Sequence, residues 1–156
     1  MKPDREDFRR GSGWVIAQFA IMFALLAAGP VWPGDWTAAW SWPAGSVLLI
    51  LGAWLGIRGE RDLGKHRTPY PRPKPDCQLI TSGIYGFIRH PLYAAVITLG
   101  FAWALLWRSE PALVLAALQI PFFDAKARRE ERWLLERFTA YADYTRRVKR
   151  FIPGIY

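Results

Sequence analysis

Cysteine and histidine are nearly absent from this 156-residue chain: Cys77, His66 and His90 are all it holds. One cysteine closes no disulfide within a chain, and three such residues far apart in sequence assemble no multi-cysteine zinc site. No metal is expected. The sequence also lacks a glycine-rich strand–helix fingerprint of the dinucleotide-binding kind. Charge is missing from two long stretches, residues 13–32, where Gln18 is the one strongly polar side chain, and residues 38–57. Each is twenty residues long, enough to cross a bilayer core as helix. Acidic side chains are scarce as well, 13 against 21 Lys and Arg, for a net charge of +8.

The basic residues are segregated from the apolar ones. Four precede the first uncharged stretch (Lys2, Arg5, Arg9, Arg10), seven lie between Arg58 and Arg89, and nine follow from Lys126 onward. Two further uncharged runs, 91–107 and 111–123, are separated by Arg108. Four spans would place 20 of the 21 cations on one side, with Arg108 alone on the other; by the positive-inside rule that side, carrying both termini, is cytoplasmic. The 111–123 run is short for a span and would cross as the return arm of a hairpin. A signal peptide is the competing reading of the first run, but the run is long and Gly29-Pro30-Val31-Trp32 is a poor cleavage site. Nucleic-acid binding, the ordinary meaning of so basic a chain, does not suit cations alternating with span-length apolar blocks. Anionic membrane lipids do.

The expected fold is therefore all-α, a single-domain integral membrane helical bundle. Its transmembrane helices number about four (13–32, 38–57, 91–107, 111–123), and a C-terminal cytoplasmic amphipathic helix follows at 124–148. Trp32, Trp36, Trp40 and Trp42 suit the headgroup level of a short outer loop. Pro43 places the start of the second helix near Ala44. Gly52 and Gly56 form a small-xxx-small pair, expected to pack on the first span, with a homodimer contact as the alternative. Residues 58–88 are expected to be non-helical, with Pro69, Pro71, Pro73 and Pro75 favouring an extended path. Trp133, Leu134, Phe138, Tyr141 and Tyr144 recur at three- and four-residue steps, an apolar stripe flanked by arginines that can snorkel at a membrane surface.

The segment Gly83-Ile84-Tyr85-Gly86-Phe87-Ile88-Arg89-His90-Pro91-Leu92-Tyr93 carries the chemistry. It sets two cationic side chains before a proline at the mouth of an apolar run, a costly placement unless something there needs the charge. Proline at the first helical position loses no helical hydrogen bond and fixes the entry angle. Arg89 alone reads equally as a membrane anchor. Glu130-Glu131, just beyond the fourth apolar run, would in a soluble protein be a solvated helix face paired with Lys126 or Arg128. At a membrane boundary crowded with cations, two carboxylates can instead receive a cationic ligand. S-adenosylmethionine fits, since carboxylates suit its ammonium and hydroxyls, Arg and His its carboxylate, and Tyr85, Phe87 and Tyr93 its sulfonium.

Taken in order, Thr81-Ser82-Gly83-Ile84-Tyr85, Arg89-His90-Pro91-Leu92-Tyr93, Glu130-Glu131, Phe138, Tyr141, Tyr144, Val148 and Phe151-Ile152-Pro153 resemble the blocks of the isoprenylcysteine carboxyl methyltransferase and phospholipid methyltransferase group, over residues 77–153. The resemblance implies an integral membrane enzyme that uses S-adenosyl-L-methionine to methylate a lipid-like or prenylated amphiphilic acceptor, at a carboxyl oxygen or an amine nitrogen. It implies a cofactor pocket from Cys77, Gln78, Leu79, Ile80, Tyr85, His90, Pro91, Leu92, Tyr93, Glu130 and Glu131. Arg89, Lys126 and Glu130 would serve the reaction, with Lys126 facing the substrate. Ala94-Ala95 and the lysine at 126 depart from the group's glycine and arginine. An NADPH-dependent membrane reductase of the steroid-reductase type, or a non-catalytic membrane partner protein, are the alternatives.

Overall fold

Long uncharged runs rich in alanine and leucine satisfy their backbone polar groups within a single helix, and helices dominate the result. The computed structural model describes residues 11–66, 68, 70 and 77–156. Among them are five α-helices and no strand: α1 (Ser12–Val31), α2 (Ser41–Leu63), α3 (Pro91–Trp107), α4 (Glu110–Arg137) and α5 (Tyr141–Arg147). Short 3₁₀ turns occupy Gly64–His66 and Gly83–Gly86. α1 and α2 are long and apolar enough to cross a membrane, and α3 is a shorter apolar helix. The basic lead 1–10 and the proline-rich residues 71–76 lie outside the described residues.

Small residues lie inside and large apolar ones outside. Ala28, Ala102, Ala104, Ala112, Ala116 and Ala127 are almost fully buried, whereas Ile16, Phe23, Ile50 and Val47 are 63–70% exposed. An aqueous protein would reverse this distribution; helices sheathed in lipid gain by close backbone approach at small residues. The bundle is a membrane-type helical bundle.

α3 is the central helix, packed against α2 most extensively and against α4 and α1 as well. Its seam with α2 has a seven-residue repeat. A Cβ on Gly45 would lie 2.9 Å from Leu106 Cγ, one on Gly52 2.7 Å from Leu99 Cγ, and one on Gly59 2.8 Å from Leu92 Cδ2. Three glycines on α2 thus receive three leucines of the antiparallel α3. The small-residue motif therefore faces α3 and not α1, because the leucine ladder that fits it is on α3.

Element boundaries differ from the sequence expectation at two places. α2 begins at Ser41, ahead of the expected Ala44, since Pro43 sits in the first turn where no intrahelical donor is lost. It also continues through Arg58 to Leu63, stabilised by helix-forming residues and an Arg58–Asp62 pair at 3.9 Å. Residues 58–63 are thus helical, not part of a loop. The 111–123 run and the charged segment after it are one helix, α4, which passes through Pro121 and stops at Phe138. The separate amphipathic helix expected at 124–148 is replaced by the second half of α4 and the short α5. Burial of Phe123, Lys126 and Ala127 on the same face as Ala116 and Gln119 explains the continuity: breaking at Pro121 would expose that face.

The α3–α4 turn is built from Arg108, in left-handed conformation (φ 54), and Ser109. The fully buried Ser109 hydroxyl donates to Ala28 O at 3.1 Å and accepts from Ala112 N at 3.3 Å, capping α4 while tying it to α1. Arg108 Nε donates to Ser41 Oγ at 3.1 Å, tying the same turn to α2.

The glycine seam makes a clean mutational contrast. Gly52→Ala should lower stability by about 1–3 kcal/mol through overpacking against Leu99, read as a shifted unfolding midpoint in a detergent titration. Gly13→Ala, where a Cβ meets nothing within 4 Å, should be neutral or slightly stabilising. Equal responses would mean that the seam does not hold α2 to α3.

Candidate functional site

The site starts from the residues leading into α3. Pro91 opens the helix at its first position, and the residue before it, His90 (φ −127, ψ 62), lies outside the helical region. That segment pairs with the C-terminal tail: Arg89 N donates to Lys149 O at 2.8 Å, His90 N to Arg150 O at 3.0 Å, and Ile88 and Lys149 form a parallel bridge. Just upstream, Asp62 at the end of α2 accepts from Ile84 N at 2.7 Å. Gly83 (φ 61) is required there, because a Cβ would collide with that carboxylate.

α4 passes beneath and supplies Glu131, which is 8% exposed. Its Oε1 accepts from Arg89 Nε at 3.0 Å, His90 Nε2 at 3.1 Å and Arg150 Nε at 3.2 Å, and its Oε2 from Arg150 Nη2 at 2.7 Å. Arg89 also donates to the carbonyls of Thr145, at 3.1 Å, and Val148. Burial pushes the Glu131 carboxyl up, but hydrogen bonds from His90 and Arg150 and the charges of His90 and Arg89 outweigh it. The net result holds it well below the usual carboxylate range.

Glu130 points elsewhere. Its Oε2 accepts from Tyr93 Oη at 2.6 Å and lies 3.9 Å from His90 Nδ1. The Tyr93 ring stacks on His90 with centroids 5.2 Å apart and planes at 3°. Lys126, one turn earlier on α4, sits 5.2 Å over the Tyr93 ring and donates to Gln18 Oε1 of α1. A polar row thus runs Gln18, Lys126, Tyr93, Glu130, His90, Glu131.

A cleft opens above this row. It is lined by Cys77, Gln78, Leu79, Ile80, Tyr85, Arg89, His90 and Glu130, and also by Leu63, His66, Thr68, Leu134, Tyr141 and Tyr144. Of the residues singled out by sequence, the first eight meet on the cleft. Pro91, Leu92 and Tyr93 lie at the root of α3, behind His90; Glu131 is turned away onto its three cations; Lys126 is buried toward α1. Arg89 reaches the cleft, but its guanidinium is committed to Glu131 and the tail. Leu134, Tyr141 and Tyr144 belong to the apolar stripe expected from their three- and four-residue spacing, and the face they cover is the cleft. His66 had no such signal: its Nδ1 accepts from Gln78 N at 3.2 Å and pins the 77–80 strip.

The phenols are neutral donors at ordinary pH. Burial, then the charges of Glu130 and Glu60, pushes Tyr85 far up, and burial pushes Tyr144 up to about 12 against the pull of Arg89. Tyr144 Oη donates to Tyr85 O at 2.5 Å, joining α5 to the 3₁₀ turn.

Comparison with known proteins gives the family. The phospholipid methyltransferase family matches residues 40–141. The cobalt-zinc-cadmium resistance protein CzcN of Cupriavidus metallidurans is 30% identical over 145 residues, 91% of this chain and 62% of that protein. The nickel-cobalt-cadmium resistance protein NccN of Alcaligenes xylosoxydans xylosoxydans is 26% identical over 91% of this chain and 63% of its own length. The protein-S-isoprenylcysteine O-methyltransferase of Dictyostelium discoideum is 26% identical over 74% of this chain and 50% of its own length. The chain therefore spans less than two thirds of the length of these relatives. It belongs to the phospholipid methyltransferase family, as the order of its motifs led us to expect.

Glu131 makes the structure acid-sensitive. Its folded carboxyl is depressed below the ordinary 4.5, so its contribution is complete above that pH. As pH falls further, the unfolded chain takes up the proton first and stability is lost. Glu131→Gln should cost about 3–5 kcal/mol by stranding the guanidinium groups of Arg89 and Arg150, and its unfolding midpoint should depend less on pH between 3 and 5 than that of the wild type. A variant as stable and as acid-sensitive as the wild type would remove Glu131 from this role.

Proposed function

We propose that this member of the phospholipid methyltransferase family transfers a methyl group from S-adenosyl-L-methionine to an amphiphilic acceptor, lipid-like or prenylated, arriving from the bilayer. The observation that carries this reading is the convergence of residues 77–80, Tyr85, His90 and Glu130 on one cleft. Within it one carboxylate, Glu130, keeps 27% of its side chain exposed, while its neighbour is neutralised by cations. A ligand with a sulfonium, an ammonium and ribose hydroxyls needs such a carboxylate, together with aromatic walls, here Tyr85, Tyr141 and Tyr144. The donor set fits.

The cofactor supplies a methyl group that is already electrophilic. What remains for the chain is alignment and exclusion of water. Glu130 would hold the cationic end, with its orientation set by Tyr93, and the apolar strip Leu79–Ile80 would cover the reacting region. A carboxylate acceptor needs no general base at neutral pH. An amine needs one, and His90 or Glu130 stands in the cleft for it. The relative named for O-methylation of isoprenylcysteine favours the carboxylate. Lys126 would draw an anionic head toward the row at the inner ends of α3 and α1.

The same reading includes four spans, α1, α2, α3 and the 111–123 part of α4, with both termini on the basic, cytoplasmic side. In a Cys77→Ser background, Asp35→Cys and Glu110→Cys, both at exposed positions, should label from the outer face only. Ser109 is fully buried and unsuited to this test. Labelling of Glu110→Cys from the cytoplasmic face would make the α3–α4 hairpin re-entrant.

The cofactor assignment is tested by calorimetry on the purified protein. S-adenosylhomocysteine should bind and NADPH should not. Glu130→Gln and His90→Ala should each weaken binding by about 1–3 kcal/mol, the cost of a lost charge-assisted hydrogen bond. Unchanged affinity in both folded variants, or binding of NADPH instead, would overturn the assignment.

A further inference from the structure

α1 and α2 flank the central α3, and between them runs a groove of about 270 Å³. Leu26 of α1 and Leu49 of α2, 45% and 44% exposed, form its rim. Leu99, Gly100 and Trp103 of α3 form its floor, and Gln119 of α4 closes its inner end. No charged side chain lines it, and it shares no lining residue with the cofactor cleft.

Gln119 does not belong in such a place on packing grounds. It is 1% exposed, and its Oε1 has no hydrogen-bond partner among the described residues. A buried acceptor left unpaired costs about 1–3 kcal/mol, and folded proteins rarely leave one so. The neighbouring helix leaves room for it: a Cβ on Gly100 would lie 2.5 Å from that oxygen. The other polar group on the wall, Trp103 Nε1, already donates to Leu26 O at 3.3 Å.

We propose that this groove is a lipid site whose occupant is an alcohol, a long apolar body bearing one hydroxyl that donates to Gln119 Oε1. Each competing occupant fails on a specific feature. Plain hydrocarbon fills the groove but leaves the oxygen unpaired. An ammonium would have no counter-charge, because no carboxylate lines the walls. A lone water needs two to four polar partners, and the wall offers it one unpaired acceptor. A neutral hydroxyl on an apolar chain satisfies both the walls and the oxygen. The site stands apart from the methyl-transfer reading and survives or fails without it.

The test uses the full chain in phosphatidylcholine nanodiscs containing a long-chain alcohol with a photoreactive diazirine or, at equal mole fraction, its methyl ether. After irradiation, mass spectrometry locates the label. The alcohol should label Met22, Leu26, Leu49 or Trp103 about ten-fold more than the ether, the ratio that corresponds to one hydrogen bond of about 1.4 kcal/mol. Gln119→Leu should hold or raise the unfolding midpoint, since it removes an unpaired acceptor, and should bring alcohol labelling down to that of the ether. If that variant does not fold, Gln119→Met carries the same comparison. Leu49→Trp, which fills the rim, should reduce labelling by both probes. Equal labelling by alcohol and ether in the wild type, label confined to residues outside the groove, or an alcohol preference that persists without Gln119 would each overturn the proposal.

Discussion

The structure around the entry to α3 depends on a single carboxylate. Glu131 brings together three pieces of chain: the entry to α3 through Arg89 and His90, the tail through Arg150, and α4 itself. A buried carboxylate surrounded by apolar atoms would be costly by several kcal/mol; one that accepts four hydrogen bonds from three basic side chains is not. The arrangement also settles what its neighbour can do. With the cations drawn to Glu131, Glu130 is left with a phenol and the far nitrogen of His90, and it faces the cleft as the carboxylate open to a ligand. Structural and functional roles are thus divided between adjacent residues.

That division follows from helix geometry. Consecutive residues on an α-helix point about 100° apart, so Glu130 and Glu131 approach His90 from different sides, one near Nδ1 and the other on Nε2. The sequence shows a pair; only the orientation of α4 shows which member meets Tyr93 and which meets Arg150. The same geometry explains Lys126, which lies four residues before Glu130 and so shares its face, next to the Tyr93 ring.

Much of the architecture was legible beforehand because membrane helices announce themselves by length and absence of charge. α1 and α3 lie within a residue of their expected bounds, and Pro91 marked the start of α3 because proline at the first helical position loses no hydrogen bond. Less was legible where local signals compete with tertiary packing. The change from apolar to charged residues at Asp124 reads as a boundary between two helices, but the buried face from Ala116 to Ala127 keeps α4 whole. Arg58, Glu60 and Arg61 read as loop residues after an apolar run, yet they are good helix formers, and Asp62 must reach Ile84 N. The glycine pair on α2 was recognised, but its partner was not: the match to Leu92, Leu99 and Leu106 appears only when the two sequences are read in opposite directions with a seven-residue step. Gln119, one amide in an apolar run, carried no signal that its oxygen would be left unpaired.

The helix least tied to the family match has a part in the site all the same. α1 lies before residue 40, where the phospholipid methyltransferase match begins, and it packs on α3 and α4 without reaching the cleft. Its one strongly polar side chain, Gln18, accepts the hydrogen bond of Lys126. The ammonium, on a side chain 1% exposed, also lies over the Tyr93 ring and within the field of Glu130. The amide shares the load without adding charge, and the polar row stays graded, from a neutral amide in α1 to a multiply paired carboxylate on α4. α1 therefore acts on the site through Lys126, by fixing where its charge sits.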